Sequence, residues 1–295
     1  MIRHALAPLL LLLAACATNS PATTQQLRDR VAAFAQPTQD GRLAALKAQL
    51  DTAGLTYSIE EFAGKRSDGA SGYNVVVHTG PASGKEILLV AHYDAVVLPN
   101  GKLVDGVVDN AASVVAMIEA TRRIADHTKH PVRLLLTDEE ELGLIGAKAF
   151  VEAHGTANLA AVIVADVNAY GDTLMHGLNN GAQSTAITAA VESVCAARAM
   201  SCLAFPEYPP SDDLVFSGAG VPTVSLGFLP HAEAEQMKAM MLDPKAAMKD
   251  PAGLPAIFKI LHTPNDTMDH VEAETVAAAA ETFAALALEL DAELP

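Results

Sequence analysis

The sequence predicts a three-layer α/β/α sandwich with a mostly parallel, mixed central sheet. Short continuous apolar runs, such as residues 87–91 and 162–165, are typical of strands that are covered on both faces. Segments with helical spacing of apolar residues alternate with these runs, as expected for helices that pack on a parallel sheet. Because the 295 residues contain no internal repeat and no interior linker, we expect a single domain with a helical insertion.

The first half of the chain is predicted to contain two helices, a hairpin and the first buried strand. Apolar residues recur with helical spacing in the two helices, whereas they alternate with polar residues in the hairpin strands at the sheet edge. These elements are helices at 27–34 and 43–50, strands at 57–62 and 73–78, and a strand at 87–91 that leads into His92.

The second half of the chain is predicted to alternate strands with helices that have one apolar face. In the helix that opens at Asp109-Asn110, for example, Val114, Met117 and Ile118 share a face. The elements are this helix, strands that end at Leu136 and Ala165 with a helix at about 142–153 between them, a helix at 185–199, a strand at 221–226 and a C-terminal helix at 276–290.

The N-terminus is predicted to be a targeting segment. Arg3 precedes an apolar run at residues 5–13, which is too short to span a bilayer and is typical of a secretory signal. The run ends in Leu-Ala-Ala-Cys, which resembles a bacterial lipobox with cleavage before Cys16 and lipidation of its thiol. The alternative is an ordinary signal peptide with an incidental cysteine. The predicted boundaries are 1–15 for the signal peptide, 16–24 for a tether and 25–295 for the catalytic domain.

The expected localisation is export as a lipid-anchored protein. Ala17, rather than the aspartate of an inner-membrane retention signal, follows Cys16, so we expect attachment to the outer membrane facing the periplasm. The net charge of −16 argues against nucleic acid as a partner and against polybasic attraction to anionic lipids. The lipid on Cys16 is therefore the only membrane attachment that the sequence predicts.

Two further features of the chain have more than one interpretation. Export permits disulfide bonds, so Cys195 and Cys202 are either a local disulfide, which we favour, or two free buried thiols. The segment 231–258 interrupts the alternation of strands and helices and is rich in methionine and proline. We favour an inserted helical lobe whose methionines fill a core. The alternative is a flap whose methionines line an apolar substrate pocket.

Histidines and carboxylates stand where the predicted strands end. His92 and Asp94 follow the first buried strand, the acidic cluster 138–141 follows the second, and Asp166 follows the third. In open α/β sheets, sites form at the carboxyl ends of the strands. Carboxylates crowded at one edge repel each other without a cation, and carboxylates with imidazoles suit zinc or a similar divalent metal. The sequence therefore predicts a metal-dependent enzyme.

Five motifs in one order make this prediction more specific. Together they resemble the co-catalytic di-zinc aminopeptidases, metallopeptidase family 28 of clan MH, over roughly residues 70–290. Each motif alone is weak, whereas all five in order and at plausible spacing are specific. The motifs are AHYD at 91–94, VDNAAS at 108–113, EELGLIG at 140–146, Asp166, and HTPNDT at 262–267.

The resemblance implies that two zinc ions, or two other divalent ions, are bound. His92, Asp109 and Asp166 would hold one ion. Asp109, Glu141 and His262 would hold the other, so that Asp109 bridges the pair.

The resemblance also implies roles for three further side chains. Glu140 would be the general base that takes a proton from a water clamped between the ions and passes it to the leaving amine. Asp94 would accept the ring N–H of His92 and fix its tautomer. Tyr208 would either polarise the scissile carbonyl or serve as a packing residue against the prolines that follow it.

The acidic cluster allows more than one register. We assign Glu140 and Glu141 to the site because the glycines that follow them then match the spacing of the family. We interpret Asp138 and Glu139 as a solvated acidic turn.

Two other positions carry expectations from the resemblance. The peptide bond between Asp109 and Asn110 would be cis. Asp213 stands where the family usually has the histidine of Ser-Asp-His. Because that histidine is not a metal ligand in the usual arrangement, we expect metal binding to be retained and substrate contacts near this loop to differ.

The function that these residues favour is a zinc-dependent exopeptidase that removes N-terminal residues from peptides. A carboxypeptidase uses the same metal chemistry, and only the pocket decides which peptide end binds. A glutaminyl cyclase resembles this architecture with a single zinc, so the expected second metal argues against it. A non-catalytic binding domain on the same scaffold would lack ligands that this chain retains.

Overall fold

The computed structural model describes residues 21–249 and 253–294. The predicted signal peptide at 1–15, Cys16 and the first part of the predicted tether lie outside the described residues. The α-helices are α1 (Thr24–Ala32), α2 (Gln39–Ala53), α3 (Ala112–Ile124), α4 (Ile145–His154), α5 (Thr185–Ala197), α6 (Asp213–Gly218), α7 (His231–Leu242), α8 (Pro244–Ala247) and α9 (Ala273–Glu293). The strands are β1 (Tyr57–Phe62), β2 (Gly72–Thr79), β3 (Glu86–His92), β4 (Val132–Thr137), β5 (Leu159–Ala165), β6 (Thr173–Gly177), β7 (Ser201–Phe205) and β8 (Thr223–Leu229).

Local sequence signals fix the ends of the two N-terminal helices. Thr23 caps α1 with a capping box that includes Gln26, which satisfies backbone donors at the helix start. Thr38 caps α2 by accepting from the Gly41 amide, and α2 ends at Gly54 with a φ of 70°. A residue without a Cβ adopts this left-handed conformation at little cost, so the chain can turn there towards β1.

One mixed sheet of eight strands runs through the described part of the chain, in the order β1-β2-β4-β3-β5-β8-β6-β7. The four neighbouring strands β4, β3, β5 and β8 are parallel. β2 pairs antiparallel with β1 and β4, and β6 pairs antiparallel with β8. The carboxyl ends of the four parallel strands therefore meet at one edge, and the predicted fold class is confirmed.

Helices cover both faces of this sheet. Along β3, Ile87 and Leu89 belong to the large core that includes α3 and α9, whereas Leu88 and Val90 belong to the smaller core that includes α4 and α6. Alternate strand residues thus pack on opposite helix layers, which explains why the strand is apolar without interruption. Burial of each such side chain stabilises the fold by about 1.5–3 kcal/mol.

The structure differs from the sequence-based prediction in several elements. β6 and β7 are not predicted. β6 has five residues and no apolar run of strand length, whereas β7 contains the apolar run 202–205, which is at the lower limit of length for a buried strand and was missed. The segment expected to open a helix at Asp109-Asn110 is a single wide turn over Val107–Ala111 with non-helical dihedral angles, and α3 follows it. These residues leave the helical conformation at the point where the site is formed.

The segment 231–258 contains α7, α8 and a short 3-10 turn at Ala256–Lys259. α7 contacts β6, β7 and β8. α7 therefore lies over the β6–β8 side of the sheet, next to the edge where the parallel strands end.

Cys195 and Cys202 form a disulfide bond, so the favoured interpretation of these cysteines is confirmed. The bond joins the end of α5 to the start of β7. Closing a short loop of this kind stabilises a fold by about 2–3 kcal/mol through the unfolded state. Among the described residues, no helix combines the length and apolar character needed to cross a membrane.

Candidate metal centre

Three parallel strands place three of the five candidate ligands at one edge of the sheet. His92 is the last residue of β3, and Asp166 follows the last residue of β5. β4 ends at Thr137, and the turn that follows carries Glu140 and Glu141. The register of the parallel pairs aligns these ends, so the carboxylates and the imidazole point into the same space.

The structure brings the five predicted ligands together in two groups that share one residue. His92 Nε2 lies 3.2 Å from Asp109 Oδ1 and 3.7 Å from Asp166 Oδ1. His262 Nε2 lies 3.2 Å from Asp109 Oδ2 and 3.1 Å from Glu141 Oε2. Within each group the candidate ligand atoms lie within 4.8 Å of one another. Asp109 offers one oxygen to each group, which is the arrangement that a bridging carboxylate requires.

The residues fit a divalent metal such as zinc. Asp166 Oδ1 is buried and has no hydrogen-bond partner among the described residues, although burying an oxygen without a partner costs about 1–3 kcal/mol. Each group combines imidazole nitrogen with carboxylate oxygen, the donor types that zinc accepts. A cation between these atoms would satisfy Asp166 and offset the repulsion between the carboxylates.

Asp94 makes further contacts in the site besides the predicted one with His92. Asp94 Oδ1 lies 3.2 Å from His92 Nδ1, which leaves Nε2 directed at the candidate metal position. The same carboxylate accepts hydrogen bonds from the backbone amides of Glu140 and Glu141, each at 3.2 Å. One buried side chain therefore fixes both the imidazole ring and the turn that presents the two glutamates.

Asp266, in the HTPNDT motif, holds the turn that carries Asp109. Its carboxylate accepts from the amides of Val107, Val108 and Asp109 at 2.7–3.1 Å. Such charge-assisted bonds are stronger than neutral ones. Sequence analysis gave no role to Asp266, and its only signal was its place in the motif.

Asn110 connects the same turn to the end of β5. The Asp109-Asn110 bond is cis, as the resemblance implied. The Asn110 side chain donates to the carbonyl of Ala165 at 2.9 Å and accepts from the amide of Val167 at 3.2 Å. These two bonds are made to the backbone on either side of Asp166 and so hold the chain that carries its side chain.

Two residues of the site have left-handed backbone conformations. Val167 has a φ of 59° and His262 a φ of 57°. For a β-branched residue such as Val167 this conformation is a true outlier and costs on the order of 1–3 kcal/mol. Val167 keeps it because Asn110 binds its amide and Phe228 donates to its carbonyl.

The expectation for Asp138 and Glu139 is wrong. Both side chains are buried rather than solvated. Asp138 accepts from the Tyr73 amide at 3.1 Å, and Glu139 accepts from the Lys65 amide at 2.6 Å. The two carboxylates join the turn after β4 to β2 and to the loop before it. The sequence pattern gave no sign of these partners, because they lie 65 and 74 residues away.

Glu140 has one hydrogen-bond donor and several acidic neighbours. The Ser211 hydroxyl donates to Glu140 Oε1 at 3.0 Å. The Ser211 amide in turn donates to Asp213 Oδ1 at 2.8 Å, so Asp213 supports this loop in the position where the family has histidine. The Thr137 hydroxyl donates to the adjacent Asp212 at 2.6 Å. The Ser211 contact, which sequence analysis missed, orients the predicted base.

Protonation offsets the charge of the carboxylates when no cation is bound. Hydrogen bonds to Asp109 and Glu141 raise the pKa of His262 to about 10. Burial alone would raise the pKa of Asp109, but hydrogen bonds with His262 and His92 lower it below its usual value. Burial raises the pKa of Glu141 to about 7 and that of Glu140 to about 9. Metal binding must therefore compete with protons.

An apolar pocket of about 300 Å³ opens directly beside the two ligand groups. Asp109, Glu140, Glu141, Asp166 and His262 form its polar end. Its other walls are apolar and come from the turns after β5 and β7, from β6 and β8, and from the segment 231–258. They include Val167, Met175, Pro209, Pro210, Leu229, Met237, Met240, Met241, Ile257, Phe258 and Leu261.

The methionines of the segment 231–258 have two kinds of contact. Met237, Met240 and Met241 line the pocket, as the flap alternative proposed. Met237 is also part of the main core, and Met240 and Met241 pack against it, as the favoured interpretation stated. Met248 is 75% exposed and lies outside the pocket.

Tyr208 also lines the pocket, at its boundary with the ligands. A Cβ on Gly227 would lie 2.6 Å from the Tyr208 hydroxyl and 2.7 Å from the Asp166 carbonyl, so the glycine permits this close approach. Burial, together with the charge of Asp166, raises the pKa of Tyr208 well above its usual value. The hydroxyl therefore remains a hydrogen-bond donor at neutral pH.

A second, more polar cleft of about 650 Å³ adjoins the opposite side of the site. Asp94 and Glu141 belong to its wall, together with the loop 65–68 and residues of the 95–103 hairpin. The ligand groups thus lie between a small apolar pocket and a larger polar cleft.

Sequence comparison matches most of this chain to one protein family. The model of peptidase family M28 matches residues 74–287, a span that contains all five candidate ligands. A search against curated proteins finds no match.

Solved structures share the fold. A Zn-dependent exopeptidase from Parabacteroides distasonis is 18% identical with a TM-score of 0.69, covering 90% of this chain and 98% of its own. LapB from Legionella pneumophila is 17% identical with a TM-score of 0.71, covering 92% of this chain and 72% of its own. A glutaminyl cyclase from Porphyromonas gingivalis is 18% identical with a TM-score of 0.68, covering 92% and 97%. At these identities the similarity shows the fold.

We expect zinc binding at neutral pH to release protons, because His262 must lose the proton that its raised pKa of about 10 keeps bound. Zinc affinity should therefore rise with pH towards that value. Titration calorimetry in buffers of different ionisation enthalpy measures the released protons. A His262→Gln variant should release fewer. Binding heats that are identical in all buffers would contradict this picture of the site.

Proposed function

The chain belongs to peptidase family M28, and we propose that it is a zinc-dependent aminopeptidase that cleaves peptides after an apolar N-terminal residue. One observation carries the proposal. Four of the five candidate ligands, drawn from both groups, form one end of a small apolar pocket together with Glu140, so a side chain seated there would place the adjoining peptide bond at the ligands.

We propose that His92, Asp109 and Asp166 hold one zinc ion and that Asp109, Glu141 and His262 hold a second. When bound, such ions polarise the scissile carbonyl and make water acidic enough to attack near neutral pH. The protein's own contribution is to fix the ligands. Backbone amides and the Asn110 amide group hold the carboxylates and their turns in place.

Glu140 is the proposed general base. It lines the pocket beside the ligands, and Ser211 orients its carboxylate. Its raised pKa of about 9 without metal falls when cations bind nearby, because they favour the charged form. The carboxylate can then accept a proton from the attacking water and deliver it to the leaving nitrogen. Tyr208 would donate a hydrogen bond to the carbonyl oxygen as negative charge develops there.

The charge of the site favours an N-terminal over a C-terminal substrate group. Glu140 lines the pocket without being a proposed zinc ligand, and its carboxylate there attracts an ammonium group and repels a carboxylate. The apolar pocket would take the first side chain, and the polar cleft would take the chain that follows the scissile bond.

A panel of aminoacyl-anilides tests the proposal, each beside its N-acetylated twin. Zinc-loaded protein that starts after Cys16 should cleave only the free-amine forms, with leucyl, methionyl and phenylalanyl substrates ahead of aspartyl and glycyl ones. Cleavage of N-acylated peptides at the C-terminal bond would instead establish a carboxypeptidase. Cyclisation of N-terminal glutamine without anilide cleavage would establish a glutaminyl cyclase, and no turnover of any substrate would favour a binding domain.

Glu140→Gln should retain bound zinc and lose turnover by about 10²–10⁴-fold, because the change removes only the proton transfer. Metal analysis and steady-state kinetics on the same preparation measure the two quantities. Glu152→Gln, on the exposed face of α4, is the matched control and should retain full activity. A Glu140→Gln enzyme with normal turnover would refute the assignment of the base.

Met240→Lys should lower kcat/KM for leucyl-anilide by at least about tenfold relative to alanyl-anilide, because a charged group in an apolar pocket weakens binding of a large apolar side chain. Met248→Lys makes the same chemical change in the same segment at an exposed position outside the pocket, and it should leave the ratio unchanged. An equal ratio in both variants would show that the pocket does not bind the first side chain.

We also propose that the protein is exported and anchored through Cys16, which lies outside the described residues. Cys16→Ala should abolish incorporation of a labelled fatty acid into the protein, because no lipid can then be attached. Metabolic labelling followed by immunoprecipitation measures this, with the wild-type protein as the control. A wild-type protein that takes up no label, or a variant that is labelled like the wild type, would exclude a lipid anchor at Cys16.

A further inference from the structure

Arg42 on α2 is a buried arginine whose hydrogen bonds all go to backbone. Its side chain is fully buried, and its guanidinium donates five hydrogen bonds to carbonyl groups of the main chain. The bonds run from Nε to Tyr93 (2.7 Å), from Nη1 to Phe34 (2.9 Å) and Asp105 (2.6 Å), and from Nη2 to Gly106 (3.0 Å) and Asp94 (3.4 Å).

Four of these five carbonyls belong to the two loops that carry the centre of the metal site, and the fifth, that of Phe34, lies between α1 and α2. Tyr93 and Asp94 follow directly after His92, at the end of β3. Asp105 and Gly106 lead directly into the turn that carries Asp109. The planar guanidinium thus bridges the two loops and fixes the distance between them.

The contact with Gly106 is close. A Cβ on Gly106 would lie 2.9 Å from Arg42 Nη1 and 3.0 Å from the Asp109 carbonyl. The guanidinium and the Asp109 carbonyl therefore both face the space that a side chain at position 106 would occupy, and only glycine leaves room for them.

The charge of Arg42 also acts on the site. No carboxylate among the described residues forms a direct ion pair with it. Burial lowers the pKa of Arg42, and the negative charges of Asp94, Asp266 and Asp109 oppose this effect. A buried guanidinium without a paired carboxylate is costly unless every donor is satisfied. Here four of the five hydrogen bonds go to the loops of the site, and the positive charge offsets the nearby carboxylates.

We propose that Arg42 is a positioning residue that sets the spacing between the His92–Asp94 loop and the Asp109 turn and thereby determines zinc affinity. This inference rests on the proposed zinc site and not on the proposed substrate. Arg42 lies outside the span 74–287 that the family model matches. The N-terminal helices, which precede the matched span, then contribute to the metal site through Arg42.

Three variants of the full exported chain test the role. Arg42→Lys keeps the positive charge, but its single ammonium nitrogen cannot make the five hydrogen bonds of the guanidinium. Arg42→Met removes both the charge and the hydrogen-bond donors. Arg30→Met is the matched control, because Arg30 joins α1 to Gln49 and Glu119 away from the site. The readouts are the zinc dissociation constant by chelator competition, thermal unfolding with and without zinc, and the visible spectrum of the cobalt-substituted protein.

The positioning role predicts zinc binding about 10- to 100-fold weaker in Arg42→Met, as for other groups that orient metal ligands. Zinc should raise its unfolding temperature less than that of the wild type, and the cobalt spectrum should change. The zinc affinity of Arg42→Lys should lie between that of Arg42→Met and that of the wild type. Arg30→Met should lose stability equally with and without zinc and should keep the wild-type zinc affinity and cobalt spectrum.

An unchanged zinc affinity and cobalt spectrum in Arg42→Met would overturn the proposal. It would also be overturned if neither Arg42 variant folds with saturating zinc, since the residue would then be a determinant of the fold itself. A wild-type protein that binds zinc but cleaves no peptide would refute the proposed function alone. A wild-type protein that binds no zinc would refute both.

Discussion

The structure depends on a cluster of carboxylates that converge at one edge of a parallel sheet. Asp109, Glu141 and Asp166 approach two imidazoles closely, and Asp94 lies directly behind His92. Like charges at this separation repel strongly in a buried site. Backbone amides donate to Asp94, and in the proposed arrangement cations bound between the ligands offset the remaining repulsion.

The polar contacts of this edge form a connected frame around the two ligand groups. Asp94 holds the turn after β4, Asp266 holds the turn before α3, and Asn110 joins that turn to the end of β5. Arg42 ties the loop after β3 to the turn before α3 from beneath. The turns that carry Asp109, Glu141 and Asp166 are therefore each held by a side chain from another segment. The segment 231–258 contributes an apolar wall to the pocket beside the two ligand groups.

The sequence could predict what depends on local pattern. Continuous apolar runs indicate buried strands, and the ligands stand directly after them, so His92 and Asp166 follow from the chain alone. The side chains that orient the ligands could not be predicted, because their partners are distant. Arg42 shares a helix face with Leu46 and Leu50, which is a signal of burial but does not identify its carbonyl partners. Asp138 and Glu139 were misjudged for the same reason, since a run of acidic residues resembles a solvated turn until its amide donors are known.

Anomalous diffraction at the zinc edge, from crystals grown with zinc, tests most directly the claim that these carboxylates are arranged around two cations. We expect two peaks, one on each side of Asp109. One should contact His92 and Asp166, and the other should contact Glu141 and His262. A single peak at full zinc occupancy, or peaks away from Asp109, would contradict this expectation.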